Sequence, residues 1–212
     1  LDLAVLRRLV TLTLSAACVG VFVSSNFGDS ATPLVQALQI APDGDTTLEH
    51  IRRGELWRLV SPIFVHFNFL HLLFNLLMLL HLGRQVEQRR GPVRYLLLVL
   101  VLGIASNLAQ FYLGDAGWNL GTGNFTFAPS GNFGGMSGVL YGLFGFVWVK
   151  SRQEPELGFV LSTGTIVLMI VWLFLCLFSV FGSVANVAHG VGLFLGLLIG
   201  YVSHVLRAVR QG

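Results

Sequence analysis

Long, uninterrupted runs of apolar residues are the feature that most restricts how this chain can fold. Several of them approach or exceed the ~20 residues that an α-helix needs to cross the hydrocarbon core of a bilayer. Only 11% of the 212 residues are charged, against about 25% in a typical soluble domain. The runs do not alternate with period two, which argues against a β-barrel. The sequence therefore predicts an all-α polytopic membrane protein.

Six transmembrane helices are predicted, at about 9–25, 64–82, 93–113, 137–149, 158–180 and 186–206. The fourth is short for a span, so we expect it to begin inside the membrane. Together the spans would form one membrane domain over residues 1–212, with an outer loop at 26–63. Loops of this length tend to carry structure of their own, and short interfacial helices are plausible near 33–40 and 47–53. The first span lacks a small-residue cleavage pattern, which favours a retained helix over a signal peptide.

The basic residues indicate the orientation of these spans. Ten of the thirteen Lys and Arg residues precede the first span, follow the sixth, or lie between the second and third or the fourth and fifth. Because basic connections remain in the cytoplasm, both termini are predicted to be cytoplasmic, and the loops at 26–63, 114–136 and 181–185 to face outward. This topology accounts for the formal net charge of +3 without nucleic acid, and the lipid bilayer is the partner expected instead.

A few strongly polar residues interrupt the apolar spans. His66, His71 and Asn75 fall on the second span, Ser137 opens the fourth, and His189 lies near the start of the sixth. Such groups are costly in lipid and usually face the bundle interior or a water-filled cavity. At 1.5 Å per residue, His71 and His189 both lie about 5–10 Å below the outer end of their spans. These residues can therefore share one polar layer, about a third of the way into the membrane.

Glycines indicate which helices touch. A spacing of four recurs at Gly138 and Gly142 in the fourth span and at Gly192, Gly196 and Gly200 in the sixth. Small residues at this spacing permit close approach of two helix backbones. Pairing these two helices would bring Ser137 beside His189, with Tyr141 one turn further along and within reach of the imidazole.

Each of these features has a common structural explanation on its own. A lone serine in a membrane helix usually bonds to its own backbone, a buried histidine is more often a packed polar group than a catalyst, and repeated glycines indicate only packed helices. Their combination at one depth is much rarer. His189 would then serve as the base for Ser137, as a dyad, because no carboxylate lies in the predicted layer. His71, Asn75 and the Ser137 N–H would supply donors to an oxyanion.

The same residues fall in motifs that resemble the rhomboid family of intramembrane serine proteases. In chain order the motifs are "WR" (57–58), "HLLFN" (71–75) preceded by His66, "GRQVEQRRG" (83–91), "GMSG" (135–138) and "AHGVGLFLG" (188–196). They lie within about residues 55–200, in the family's order and spacing. One departure is the loop at about 114–136, which is longer than in the compact bacterial members.

The resemblance implies a bacterial six-helix bundle whose water-filled cavity opens outward. It implies Ser137 as the nucleophile, His189 as the general base, and His71 and Asn75 as oxyanion donors. Supporting positions would be Tyr141, stacked on His189, His66, lining the cavity near the surface, and Gly135 and Gly138, which flank the nucleophile. Trp57 and Arg58 would belong to the outer first loop, and Gly83 and Glu87 would be structural, near the cytoplasmic end.

The resemblance also implies a class of substrate and a location. Substrates would be single-span membrane proteins, cleaved in or near their membrane span, and neither a metal nor a cofactor is implied. The location would be the bacterial inner membrane, with the active site open to the periplasmic side.

Two other classes of protein are alternatives. A non-enzymatic relative would bind membrane segments without cutting them, and loss of the nucleophile or base would favour it; both are present here. A small transporter or channel would also expose helix ends inside the membrane, but it would need a polar path through the whole bilayer. The polar residues lie only in the outer third, which argues against such a path.

Overall fold

The computed structural model describes residues 8–42, 44–114, 117–119, 124–126, 130–178 and 184–211. Its helices are α1 (Leu9–Ser24), α2 (Pro33–Leu38), α3 (Glu49–Arg52), α4 (Phe69–Met78), α5 (Arg84–Arg90), α6 (Pro92–Leu113), α7 (Ser137–Gln153), α8 (Thr163–Leu177) and α9 (Asn186–Gln211). Short 3-10 helices lie at Leu56–Leu59, Ser61–Phe64 and Pro155–Leu157, and a π-helical turn, Leu79–Gly83, joins α4 to α5. Strands β1 (Gly117–Asn119) and β2 (Asn124–Thr126) pair antiparallel. Within these residues the secondary structure is therefore helical, apart from this pair of strands.

Three described helical segments are long and apolar enough to cross a membrane: Phe69–Arg90, Pro92–Leu113 and Asn186–Arg210. Two further apolar helices, Leu9–Ser24 and Thr163–Leu177, are shorter, and α7 has 17 residues. These helices fit a helical membrane protein. The predicted six crossings would require the three shorter helices to cross as well.

Helix α7 is the centre of the bundle. Its residues from Gly138 to Val147 are all buried, and its most extensive contact with another helix in the described chain is with α9. That contact depends on glycine, because a Cβ at Gly192 would overlap the carbonyl oxygen of Gly138, and one at Gly196 would overlap that of Gly142. The glycine spacing thus correctly predicted that these two helices dock at backbone distance.

A buried carboxylate joins α1 to α5. The side chain of Glu87 is 1% exposed, and its two oxygens accept the N–H groups of Val10 and Thr11, each at 2.8 Å. The Thr11 hydroxyl donates a third hydrogen bond at 2.6 Å. These N–H groups lie in the first turn of α1, where they have no acceptor in the helix and where negative charge is favourable. Glu87 therefore acts as a helix cap supplied by another helix, consistent with the structural role expected of it.

The outer first loop is held by Arg58. Its side chain is buried, and its guanidinium donates to the carbonyl oxygens of Gln36 and Gln39 at 2.7 and 2.8 Å. Its Nε donates to the Glu55 carboxylate at 2.6 Å. The short helices expected near 33–40 and 47–53 are present as α2 and α3. The arginine of the "WR" motif therefore joins α2 to the 3-10 turn that follows α3.

The predicted second span, 64–82, needs correction at both ends. Helix α4 begins at Phe69, because the Asn68 side chain accepts the His71 N–H at 2.8 Å and caps the helix there. His66 therefore lies before the helix and not on it. At the other end the helix continues through the π-helical turn and α5 to Arg90, since charged residues at a membrane surface extend a helix without cost to the span.

The remaining boundaries differ by a few residues. Helix α7 continues to Gln153, α8 begins at Thr163, where Ser162 caps it, and α9 continues to Gln211. The predicted end of the fifth span at 179–180 lies outside the described residues. So do 181–183 of the last loop and residues 115–116, 120–123 and 127–129 of the loop at 114–136.

We expect Gly196→Ala to lower the apparent Tm of the detergent-solubilised protein, because its Cβ would meet backbone that cannot move aside. Overpacking of this kind costs about 1–3 kcal/mol. Gly190→Ala is a matched control on the same helix, since a Cβ there meets nothing within 4 Å, and it should leave Tm unchanged or raise it. Equal losses of Tm in both variants would contradict the packing described for α7 and α9.

Candidate active site

The glycine-rich segment before α7 positions Ser137 at the start of that helix. Gly135 has a φ of +126°, and its N–H donates to the carbonyl oxygen of Pro62 at 2.9 Å. A Cβ at Gly135 would lie 2.7 Å from Nε2 of His71, so glycine permits both the backbone conformation and the approach of this ring. Ser137 is the first residue of α7, and N–H groups in a first helical turn have no acceptor within the helix.

Ser137 and His189 form a hydrogen-bonded pair. The Nε2 atom of His189 lies 2.7 Å from Oγ of Ser137, although the residues are 52 positions apart in the chain. His189 is in the first turn of α9 and is 2% exposed. Its Nδ1 has no hydrogen-bond partner among the described residues, so no carboxylate orients the imidazole there. The pair has the geometry of a dyad.

Tyr141 supports the histidine from one side. Its ring centroid lies 4.8 Å from that of His189, with an interplanar angle of 41°. The Tyr141 hydroxyl donates to the carbonyl oxygen of Met169 on α8 at 3.0 Å. The aromatic ring therefore restricts the imidazole by packing, while its hydroxyl is engaged elsewhere.

A cavity of about 970 Å³ contains both members of the pair. Its lining includes Ser137, His189, His71 and Asn75, which are the nucleophile, base and oxyanion donors expected from the sequence. The Nδ2 of Asn75 donates to the His71 carbonyl oxygen at 2.7 Å, and its second hydrogen is free to donate elsewhere. Asn75 Oδ1 is buried without a partner among the described residues. The four side chains of the predicted polar layer thus meet in one cavity.

His66 does not occupy its expected place. It is 1% exposed and is not part of the cavity lining. Its Nδ1 lies 3.1 Å from the Phe64 carbonyl oxygen, and its Nε2 accepts the Met136 N–H at 3.5 Å. The ring lies 4.9 Å from that of His71. The expectation that His66 lines the cavity near the surface is therefore wrong, because these contacts with Phe64 and Met136 hold the ring inside the protein.

Two polar residues of α6 were missed by the sequence analysis. Gln110 lines the cavity, and its Oε1 accepts the N–H of Ala188, the residue before His189, at 3.1 Å. Ser106 lies against Gly138 and Gly192, at the point where α7 and α9 are in contact. Their signal was visible as "SNLAQ" (106–110), in which Ser106 and Gln110 are four apart on one face of an apolar helix.

The arrangement can perform acyl transfer. A serine hydroxyl becomes a nucleophile when a neighbouring base accepts its proton, and the developing oxyanion requires donors in a site that excludes bulk water. Ser137 and His189 supply the first pair, and His71, Asn75 and the Ser137 N–H surround the same space. No group of three His, Cys, Asp or Glu residues in the described parts of the chain could hold a metal ion.

Comparison with known proteins gives a consistent result. The family model for the rhomboid domain matches residues 53–205. A protein named Rhomboid protease GlpG from Yersinia pestis (strain Pestoides F) is 40% identical over 148 residues, which are 69% of this chain and 48% of that protein. Its namesake from Salmonella paratyphi A is 33% identical over 195 residues, 91% of this chain and 62% of that protein. The chain thus spans about half to three fifths of the length of these relatives.

The packing of Tyr141 on His189 gives a paired prediction for the reaction of Ser137 with a fluorophosphonate probe. Tyr141→Leu removes the flat ring, so the imidazole should lose its orientation and labelling should slow by about 10- to 100-fold. Tyr141→Phe keeps the ring and loses only the bond to Met169, so it should label at close to the wild-type rate. An equally slow Phe variant would show that the hydroxyl, not the ring, supports the site.

Proposed function

Because the chain belongs to the rhomboid family, we propose that it is an intramembrane serine endopeptidase in which Ser137 is the nucleophile and His189 the general base. The observation that carries the proposal is the 2.7 Å contact between Oγ of Ser137 and Nε2 of His189. The two relatives described above are named as proteases, which supports the same activity.

The first half of the reaction forms an acyl-enzyme. Ser137 Oγ attacks the scissile carbonyl carbon while His189 Nε2 accepts its proton. The carbonyl oxygen becomes an oxyanion, which receives hydrogen bonds from His71, Asn75 and the Ser137 N–H at the positively polarised start of α7. His189 then donates the proton to the leaving amine, and the peptide bond breaks.

The second half releases the product. Water entering from the cavity attacks the acyl carbon, and His189 accepts its proton and returns one to Ser137 Oγ. The absence of an orienting carboxylate among the described residues is offset by the Tyr141 ring and by burial of the imidazole, which hold one orientation without a charged partner.

The membrane setting determines the substrates we propose. We place six crossings in the bundle, with α1, α7 and α8 crossing despite their shorter length, and the basic end of the protein in the cytoplasm. In this orientation α7 begins below the periplasmic surface of the membrane, and the cavity at its start therefore opens to that side. A single-span membrane protein that unwinds near the cavity would present its peptide bond to Ser137.

Ser137→Ala and His189→Ala should each abolish cleavage of a model single-span substrate in liposomes, with Tm close to wild type. Ser137 should react covalently with a fluorophosphonate, identified by mass spectrometry of the modified peptide. Undiminished cleavage by purified Ser137→Ala would overturn the mechanism. A wild-type protein that folds, binds the substrate and takes up no probe would favour the alternative of a relative that binds membrane segments without cutting them.

Asn75→Ala should reduce kcat without abolishing cleavage, because His71 and the Ser137 N–H remain as donors. Loss of one oxyanion donor costs about 10²–10³ in kcat in serine proteases, and the shared role predicts a loss at or below that range. Measurement of kcat and KM with the same substrate checks this. Complete inactivity in a variant with normal Tm would show that Asn75 carries the oxyanion almost alone.

A further inference from the structure

A second polar cluster lies at the end of the bundle opposite the cavity. Glu154, directly after α7, is 2% exposed. Its carboxylate pairs with Lys150, with Arg207 at 2.9 Å, with His204 at 3.5 Å and with Arg90 at 3.9 Å. Burial acts to raise the pKa of the Glu154 carboxyl, but hydrogen bonds from Lys150 and Arg207 outweigh it and hold the pKa below its ordinary value. Glu154 therefore carries its negative charge at neutral pH.

The cations of this cluster outnumber its carboxylates. It contains two carboxylates, Glu154 and Glu156, and four cations, which are Lys150, Arg207, Arg90 and, through its electrostatic effect on Arg90, Arg94. Arg94 is exposed, acts electrostatically on Arg90, and has no ion pair within the described part of the chain. Two positive charges are therefore left without a counter-charge at an end of the protein where the helices leave the membrane.

Arg90 is the partly buried cation of this cluster with the weakest described ion pair and with unpaired hydrogen-bond donors. Its Nη2 is 3.9 Å from Glu154, too far for a hydrogen bond, and its Nε and Nη2 are buried without a hydrogen-bond partner among the residues described. Its guanidinium lies 5.7 and 5.9 Å from the ring centroids of Phe146 and Phe159. The neighbouring Arg89, in contrast, donates to the Gly158 carbonyl oxygen. The Arg90 side chain is 24% exposed, so a part of it other than these two buried nitrogens reaches the surface, where Arg94 acts on it electrostatically.

We propose that Arg90 and Arg94 bind the phosphate of an anionic phospholipid in the leaflet at the basic end of the protein. Guanidinium groups match phosphate oxygens in geometry and charge, and basic clusters beside membrane helices attract anionic headgroups. The headgroup phosphate lies at the same level as the ends of α5 and α6, which carry the two arginines. This site is separate from the cavity and does not depend on the proposed protease activity.

Thermal unfolding in lipid nanodiscs tests the site. The full chain is placed in discs of phosphatidylcholine alone or with added phosphatidylglycerol, and the rise in apparent Tm caused by the anionic lipid is measured. The rise should be largely lost in Arg90→Gln/Arg94→Gln. A matched control, Arg84→Gln/Arg152→Gln, removes the same charge from two exposed arginines that have no ion pair in the described residues, and it should keep the rise.

Three results would overturn the proposal: an undiminished rise in the Arg90/Arg94 variant, an equal loss in the control, or the same rise from inorganic phosphate added to phosphatidylcholine discs. The last result would assign the site to a free anion. If the double variant does not fold, Arg94→Gln alone decides, because this exposed side chain has no hydrogen bond or ion pair to lose among the described residues, and the rise should still fall below that of wild type.

Discussion

The close contact between α7 and α9 is the interaction on which the rest of the structure depends. Two glycines of α9 lie against carbonyl oxygens of α7, at Gly138 and Gly142, with no room for a Cβ. The distance between packed helix axes grows with the side chains at their contact, so larger residues here would move Ser137 and His189 apart. Both residues lie in the first turn of their helices, and the first glycine contact joins Gly138, directly after Ser137, to Gly192, one turn after His189, so it fixes their separation.

Polar groups at the two ends of this bundle meet different conditions. At the cavity end, Ser137, His189 and their neighbours lie in a space that water can enter, which makes polar side chains tolerable inside an apolar protein. At the basic end, Glu154 is enclosed and forms ion pairs with Lys150 and Arg207. Glu87 is likewise enclosed, and the hydrogen bonds of its carboxylate described above go to α1. The buried carboxylates thus connect helices, whereas the side chains proposed for catalysis face open volume.

The sequence predicted the helical fold and the docking of α7 on α9 because both follow from local rules: apolar length and glycine spacing. It also grouped Ser137, His189, His71 and Asn75 by depth, and the structure places all four around one cavity. The depth of a residue can be predicted from its sequence position when it lies on a regular helix. The prediction failed for His66 because this residue lies in the extended segment before α4, where contacts with Phe64 and Met136 set the direction of its side chain.

Other features depended on partners that are distant in the chain. Gln110 was missed because its role comes from Ala188, 78 residues away, and no spacing rule connects them. The continuation of the second span to Arg90 depended on a π-helical turn that keeps α5 in line with α4.

The rate at which a fluorophosphonate labels Ser137 in Gly192→Ala tests the central claim most directly. The added Cβ would meet the carbonyl oxygen of Gly138, the residue after Ser137, from a position one turn after His189. If the contact between α7 and α9 sets the reactivity of the serine, the folded variant should bind a substrate peptide normally and label far more slowly than wild type. Labelling at the wild-type rate would show that the pair is positioned independently of the glycine contact, and would contradict the account.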